Sequence, residues 1–273
     1  MATKIGWRLH APGQATSSPG ADLVVESVTV KFGGITAVNN ASVTARGGQI
    51  TGLIGPNGAG KTTFFNACSG RNRPVSGSVR LGDQRLDGHG SSNRAHRGLG
   101  RTFQRMELFE SMTVLENVRT GPAAMFSSRR LLGQLYSTPS ETREVASRAS
   151  DAMARCGISQ LAKRTVGDLS TGQRRLVELA RAIATPFSFL LLDEPSSGLD
   201  VSETDAFGRV LTDYVRDTGC GILIVEHDMA LVSDICDQIY VLDFGKIIYQ
   251  GTTAEALSSD LVRAAYLGEV SVA

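Results

Sequence analysis

The stretch Gln49-Ile50-Thr51-Gly52-Leu53-Ile54 runs straight into Gly55-Pro56-Asn57-Gly58-Ala59-Gly60-Lys61-Thr62-Thr63, and then into Phe64-Phe65-Asn66-Ala67. The first six residues read as a strand and Lys61–Ser69 as a helix with Phe64, Phe65 and Ala67 to pack. The nine between them match G-x-x-x-x-G-K-[ST] in the strand-before, helix-after context that motif needs. Glycines let the backbone curl closely, so that successive N–H groups converge on an anion. The helix N-terminus adds partial positive charge. Such a loop cradles phosphates; Lys61 reaches the β- and γ-phosphates, and the Thr62 hydroxyl can ligate Mg²⁺. The bland alternative is a Gly-rich turn beside a surface lysine, and the flanking strand and helix argue against it. By itself the loop does not choose among ATPases, GTPases and small-molecule kinases, although the chain holds no N-K-x-D guanine element.

Downstream, Phe189-Leu190-Leu191-Leu192 is a continuous apolar run that ends in Asp193-Glu194. Such a run suits a strand buried on both faces of a parallel sheet, and ligands gather at strand ends of that kind. Asp193 can hold Mg²⁺ directly or through water. Glu194, alternating in direction, can orient or deprotonate an attacking water. A capped strand end is the competing reading, weakened by the phosphate loop upstream.

Around these anchors the pattern alternates. Strands are expected at Leu23–Phe32, Val43–Ala45, Ser78–Leu81, Leu99–Phe103 and Gly221–Val225, and a hairpin at Gln238–Asp243 and Lys246–Gln250. Helices are expected at Thr113–Thr120, with Thr113 and Glu116 as a capping box, and at Glu141–Cys156, Thr171–Ala184, Val201–Asp217, Met229–Ile235 and Asp260–Leu267. Ser127–Ser140, broken at Gly133 and Pro139, reads as loop or partial helix. The result is an α/β core split in sequence, over 22–103 and 168–252, with a helical subdomain inserted at 104–167. Residues 1–21 read as a flexible tail and 253–273 as a helical tail.

Composition narrows the class. The 273 residues are 41% hydrophobic, enough for a full core, and the net charge of +1 argues against nucleic acid as a partner. Cys68, Cys156, Cys220 and Cys236 are widely spaced and read as inert buried thiols. No apolar run approaches a membrane span, so any membrane association must come through a partner.

Leu169-Ser170-Thr171-Gly172-Gln173, one helix before the Asp193-Glu194 strand, is similar to the LSGGQ signature of the ATP-binding-cassette (ABC) ATPases; Thr171 departs from the usual glycine. Four further matches follow the family order. Phe32 resembles the aromatic that stacks on adenine, against the alternative of a buried strand-end Phe. Gln104, in Arg101-Thr102-Phe103-Gln104, resembles the glutamine that senses Mg²⁺ and the attacking water. Ser197-Gly198-Leu199-Asp200 resembles the D-loop. Glu226-His227-Asp228 places His227 as the switch histidine at the γ-phosphate.

The resemblance implies a P-loop NTPase (RecA-like) core with an N-terminal antiparallel β subdomain. It implies two ATPs sandwiched between paired subunits, each held by one phosphate loop and by Ser170, Thr171, Gly172 and Gln173 of the partner. It also implies integral membrane permease subunits at the cytoplasmic face of the membrane and, indirectly, a solute-binding protein. Phe32-Gly33-Gly34, Ala37-Val38-Asn39-Asn40, Gly100-Arg101-Thr102-Phe103-Gln104 and Leu108-Phe109-Glu110-Ser111-Met112-Thr113-Val114 look like the branched-chain amino acid importer branch, where Asp200 is often Asn. Urea or amide importers and the lipopolysaccharide-exporting ATPase share much of this pattern. A non-transport regulator of ribosomes or DNA fits less well, since such chains carry two cassettes or a long coiled coil.

Overall fold

Period-two alternation decides how the sheets stack. In Phe189–Asp193, Phe189 and Leu191 face one side while Leu190 and Leu192 face the other, and Ile222 and Ile224 alternate with Leu223 and Val225 in the same way. These strands are buried on both faces, so each side of their sheet carries its own core. The computed structural model describes residues 20–102, 107–127 and 138–267.

Ten strands are described: β1 Leu23–Phe32, β2 Ile35–Ala45, β3 Ile50–Ile54, β4 Ser76–Leu81, β5 Gln84–Arg85, β6 Leu99–Arg101, β7 Phe189–Asp193, β8 Gly221–Val225, β9 Gln238–Asp243 and β10 Lys246–Gly251. The described helices are α1 Lys61–Cys68, α2 Ser91–His96, α3 Val114–Ser127, α4 Pro139–Arg155, α5 Thr171–Ala184, α6 Val201–Thr218, α7 Met229–Ile235, α8 Thr253–Ser258 and α9 Asp260–Leu267. A six-stranded sheet runs β10-β9-β3-β8-β7-β6, parallel except for the β9–β10 hairpin. A second, antiparallel sheet runs β2-β1-β4-β5.

The two sheets enclose α1, whose Phe64 and Phe65 are fully buried with Val25, Val43, Leu191 and Leu223. The opposite face of the six-stranded sheet packs Ile50, Leu190 and Ile224 against Phe207 and Leu211 of α6. That apolar cluster continues into the helices, where α5 packs on α3 and α4. A small third cluster, including Val241, Ala256 and Val262, seats α8 and α9 beneath the β9–β10 hairpin. No helix among the described residues is long and apolar enough to cross a membrane.

Several elements differ from the sequence expectation. The strand expected at Val43–Ala45 begins at Ile35; left-handed Asn40 (φ +53°) absorbs the polar Asn39-Asn40 pair within it. The helix expected to end at Thr120 continues to Ser127 through Pro122. At the neighbouring Gly121 a Cβ would lie 2.5 Å from the Arg181 carbonyl, so α3 and α5 approach closely there. Pro139, read as a breaker, is instead the first residue of α4. Thr138 and Glu141 cap that helix reciprocally, and a proline at the first position costs no hydrogen bond. The strand expected at Leu99–Phe103 is described as Leu99–Arg101, Phe103 lying outside the described residues; α2 was not anticipated, and α8 falls within the 253–273 stretch read as helical.

Candidate functional site

The central strand β3 delivers the chain into the Gly55–Thr63 loop. Gly55 has φ +147°, and a Cβ there would lie 2.0 Å from the Leu242 carbonyl; at Gly60, φ is +106° and a Cβ would lie 2.5 Å from the Ala37 carbonyl. Glycine is therefore required at both for close backbone approach. Gly58 has φ +76° with open space beside it. The loop is tied down from behind: Gly245 N–H donates to the Ala59 carbonyl at 2.8 Å, and Asn39 N–H donates to the Gly245 carbonyl at 2.8 Å. Ala59 N–H closes onto Pro56 O at 3.2 Å. Lys61 is buried, its ammonium donating to the carbonyls of Gly55 at 2.6 Å and Pro56 at 2.9 Å. Asn57, Gly58 and Thr62 are exposed, and Thr63 is half-buried.

Asp193 ends β7 with a side chain only 1% exposed. Its Oδ2 accepts from Arg101 Nη2 at 2.8 Å. Its Oδ1 is buried with no hydrogen-bond partner among the described residues. Burial pushes this carboxyl up, offset by the Arg101 charge and hydrogen bond; the Glu194 charge adds to the rise and Lys61 opposes it. Thr62 and Asp193 can thus offer oxygen ligands to a hard divalent cation, and the orphaned Oδ1 fits that use. Gln104, the third residue expected at the metal, lies outside the described residues.

Glu194 sits one residue beyond β7 with φ +49°, uncommon for a residue other than glycine. Its N–H donates to the Val225 carbonyl at 2.9 Å, which fixes the turn. Its Oε1 lies 3.0 Å from His227 Nε2. His227 follows β8 and is partly exposed. The structure therefore brings Asp193, Glu194 and His227 to the same end of two adjacent parallel strands.

Sequence reasoning missed two supporting groups. Arg101, quoted only as part of a motif, also donates from Nη1 to Asn66 Oδ1 at 2.7 Å and to Ser69 Oγ at 2.8 Å, both on the α1 segment. Glu226 is buried, and its Oε1 accepts from Ser196 N–H at 2.8 Å while Oε2 accepts from His227 N–H at 3.2 Å. Burial holds its carboxyl above the usual range. The signal available for Glu226 was a carboxylate at the end of an apolar strand, the same signal that drew attention to Glu194.

Phe32 closes β1 half-exposed, so it is not a buried strand-end residue; Gly33 beside it has φ +56°. Ser170 caps α5: its Oγ accepts from Gln173 N–H at 3.2 Å, and Gln173 Oε1 accepts from Ser170 N–H at 3.3 Å. Thr171 is exposed and Gly172 buried, with Glu203 so close that a Cβ at Gly172 would meet its carboxylate. Arg175 Nε donates to the Ser197 carbonyl at 3.2 Å, so the start of α5 leans on the 197–203 segment. Asp200 caps α6, its Oδ1 accepting from Glu203 N–H at 2.8 Å, a bond that holds its carboxyl below the usual range. Among the described residues no cluster of His, Cys, Asp and Glu forms a separate metal site.

Comparison with known proteins adds an independent line. A family profile described as ABC transporter matches residues 38–197. The chain is 38% identical to the high-affinity branched-chain amino acid transport ATP-binding protein LivG of Escherichia coli K12, over 90% of this chain and 98% of that one. It is 34% identical to the lipopolysaccharide export system ATP-binding protein LptB of Haemophilus influenzae, over 90% of this chain and 97% of that one. The fold matches the ADP conformation of MJ1267, an ATP-binding cassette of an ABC transporter, with TM-score 0.79 and 28% identity, covering 91% and 99% of the two chains.

Proposed function

The chain belongs to the ABC transporter family as an ATP-binding, ATP-hydrolysing subunit, and we propose that it powers import of branched-chain or other hydrophobic amino acids. The observation that carries hydrolysis is the convergence of Glu194 and His227, 3.0 Å apart, beside Asp193 at the mouth of the phosphate loop. In this reading the 55–63 backbone N–H groups and Lys61 hold the triphosphate, and Phe32 stacks on adenine. Glu194 orients and deprotonates the attacking water, and His227 meets the γ-phosphate and steadies Glu194. Thr62, Asp193 and Gln104 would hold Mg²⁺, which would supply charge neutralisation at the phosphates.

Ser170, Thr171, Gly172 and Gln173 face the nucleotide of a second ATPase subunit, a copy or a paralogue, and Asp200 lies at that interface. The 22–103 and 168–252 segments act as the catalytic core and 104–167 as the lever toward the permease, with 1–21 and 253–273 as tails. Closure around ATP biases a two-state assembly, and hydrolysis reopens it at the cytoplasmic face of the membrane.

The amino acid cargo is supported by the identity to LivG across nearly the whole chain. Lipopolysaccharide-type export is the second reading, favoured by the likeness to LptB. Purification from native membranes tests both: polytopic permeases and a solute-binding protein that takes leucine or isoleucine support import. Recovery with a lipid-exporting assembly overturns the cargo, and recovery with only ribosomes or DNA overturns transport.

A further inference from the structure

Arg101 is bound more tightly than a surface arginine would be, and by groups of two different elements. Its side chain is 8% exposed, its guanidinium lies 5.8 Å from the centre of the Phe65 ring, and Nη1 is held by Asn66 Oδ1 and Ser69 Oγ. Nη2 reaches Asp193 Oδ2 at 2.8 Å, across 92 positions of sequence. The carboxylate is engaged through that one oxygen, while Oδ1 is buried without a partner among the described residues. An ion pair serving stability alone gains most by engaging both oxygens in a fork. Here the fork is split: one nitrogen is anchored on α1 and the other holds one side of Asp193.

We propose that Arg101 is a positioning residue that locks the Asp193 carboxylate so that Oδ1 is presented to the divalent cation. This rests on the reading of Asp193 as a metal ligand. The guanidinium suits the task because its planar donors can be anchored and can bind at the same time, which a single ammonium cannot reproduce. A guanidinium that instead competed with the cation for Asp193 would give the opposite sign.

The test uses the full chain with Arg101→Met, Arg101→Lys and Asp193→Asn. A fluorescent ATP analogue is titrated first with EDTA and then against Mg²⁺, and Mn²⁺ binding is followed by electron paramagnetic resonance. Positioning predicts that Arg101→Met keeps its metal-free nucleotide affinity, which also reports an intact fold, while the cation needed for half-saturation rises about tenfold or more. Arg101→Lys falls between, keeping charge but losing the α1 anchors. An unchanged cation requirement in Arg101→Met, with a raised one in Asp193→Asn, overturns the positioning role alone. A lowered requirement shows competition and overturns it too, and no change in Asp193→Asn removes the metal reading beneath it. Should Arg101→Met not fold, Ser69→Ala combined with Asn66→Ala loosens the anchor with the charge kept and must raise the cation requirement; no rise overturns the inference.

Discussion

Glu194 Oε1 lies 3.0 Å from His227 Nε2, and Glu194 holds that position on a left-handed backbone, with φ +49°. Strain of this kind persists only where the surroundings over-determine the residue, here through the Glu194 N–H bond to Val225 and the histidine contact. Replacing Glu194 by Gln keeps size and backbone but removes the base. ATP binding is expected to persist, steady-state phosphate release to fall by about 10²-fold or more, and ATP to accumulate a closed dimer visible by size exclusion. Unchanged turnover would remove Glu194 from the chemistry.

Lys61→Ala deletes the one cation that the loop itself supplies, along with its bonds to Gly55 O and Pro56 O. Equilibrium binding should show nucleotide affinity lost at millimolar ATP while circular dichroism stays folded. Affinity equal to the parent would sink the phosphate-loop assignment.

The three loop glycines are expected to separate in a melting experiment. Gly55→Ala drives a Cβ to 2.0 Å from the Leu242 carbonyl, and Gly60→Ala to 2.5 Å from that of Ala37, contacts that only backbone movement relieves. Gly58→Ala meets open space, so its cost is the left-handed φ alone, about 1–2 kcal/mol. The first two should therefore melt well below the third. Equal melting temperatures would mean that the loop is not clamped from behind.

Glu226 offers a stability profile as well as an activity test. Burial raises its carboxyl above the ordinary value of 4.5, so the folded chain binds this proton more tightly than the unfolded one. Its contribution to stability is full below about 4.5 and is lost as pH rises through the raised value. Glu226→Gln cannot titrate, so the parent's advantage over it should shrink from pH ~4.5 upward; a constant difference in denaturation free energy would argue against a raised pKa. The amide also turns a donor toward either Ser196 N–H or His227 N–H, which misplaces His227 and should lower turnover by roughly tenfold or more.

Burial pushes the thiols of Cys68, Cys156, Cys220 and Cys236 up to about 12. Roughly one thiol in ten thousand is then ionised at pH 8. A disulfide reagent should label the native chain slowly and all four thiols promptly in guanidinium. Fast labelling of the folded chain would contradict the burial.

Local chemistry made much of the site readable in advance. Gly55 and Gly60 were legible from their fixed spacing around Lys61, although the distant Leu242 and Ala37 carbonyls enforce them, and Ser170 with Gln173 forms a cap within one helical turn. Arg101 and Glu226 were missed because their meaning is non-local. Arg101 pairs with Asp193 across 92 positions, and Glu226 receives Ser196 N–H across 30. No pattern along the chain announces either bond. The same holds for the close approach of α3 to α5 at Gly121, set against the Arg181 carbonyl of a helix far along the chain.

The Phe244-Gly245 turn connects β9 to β10, and Phe244 is 88% exposed at its tip. Gly245 nevertheless binds both Ala59 and Asn39, one residue from that exposed tip. Surface position is thus a poor guide to where this chain can be cut, tagged or lengthened. A peptide spliced into the turn would sever the brace behind the phosphate loop. The exposed Gly82-Asp83 turn, whose Gly82 N–H bonds the Asp22 carbonyl beside β1 and not the phosphate loop, is the better place for a reporter.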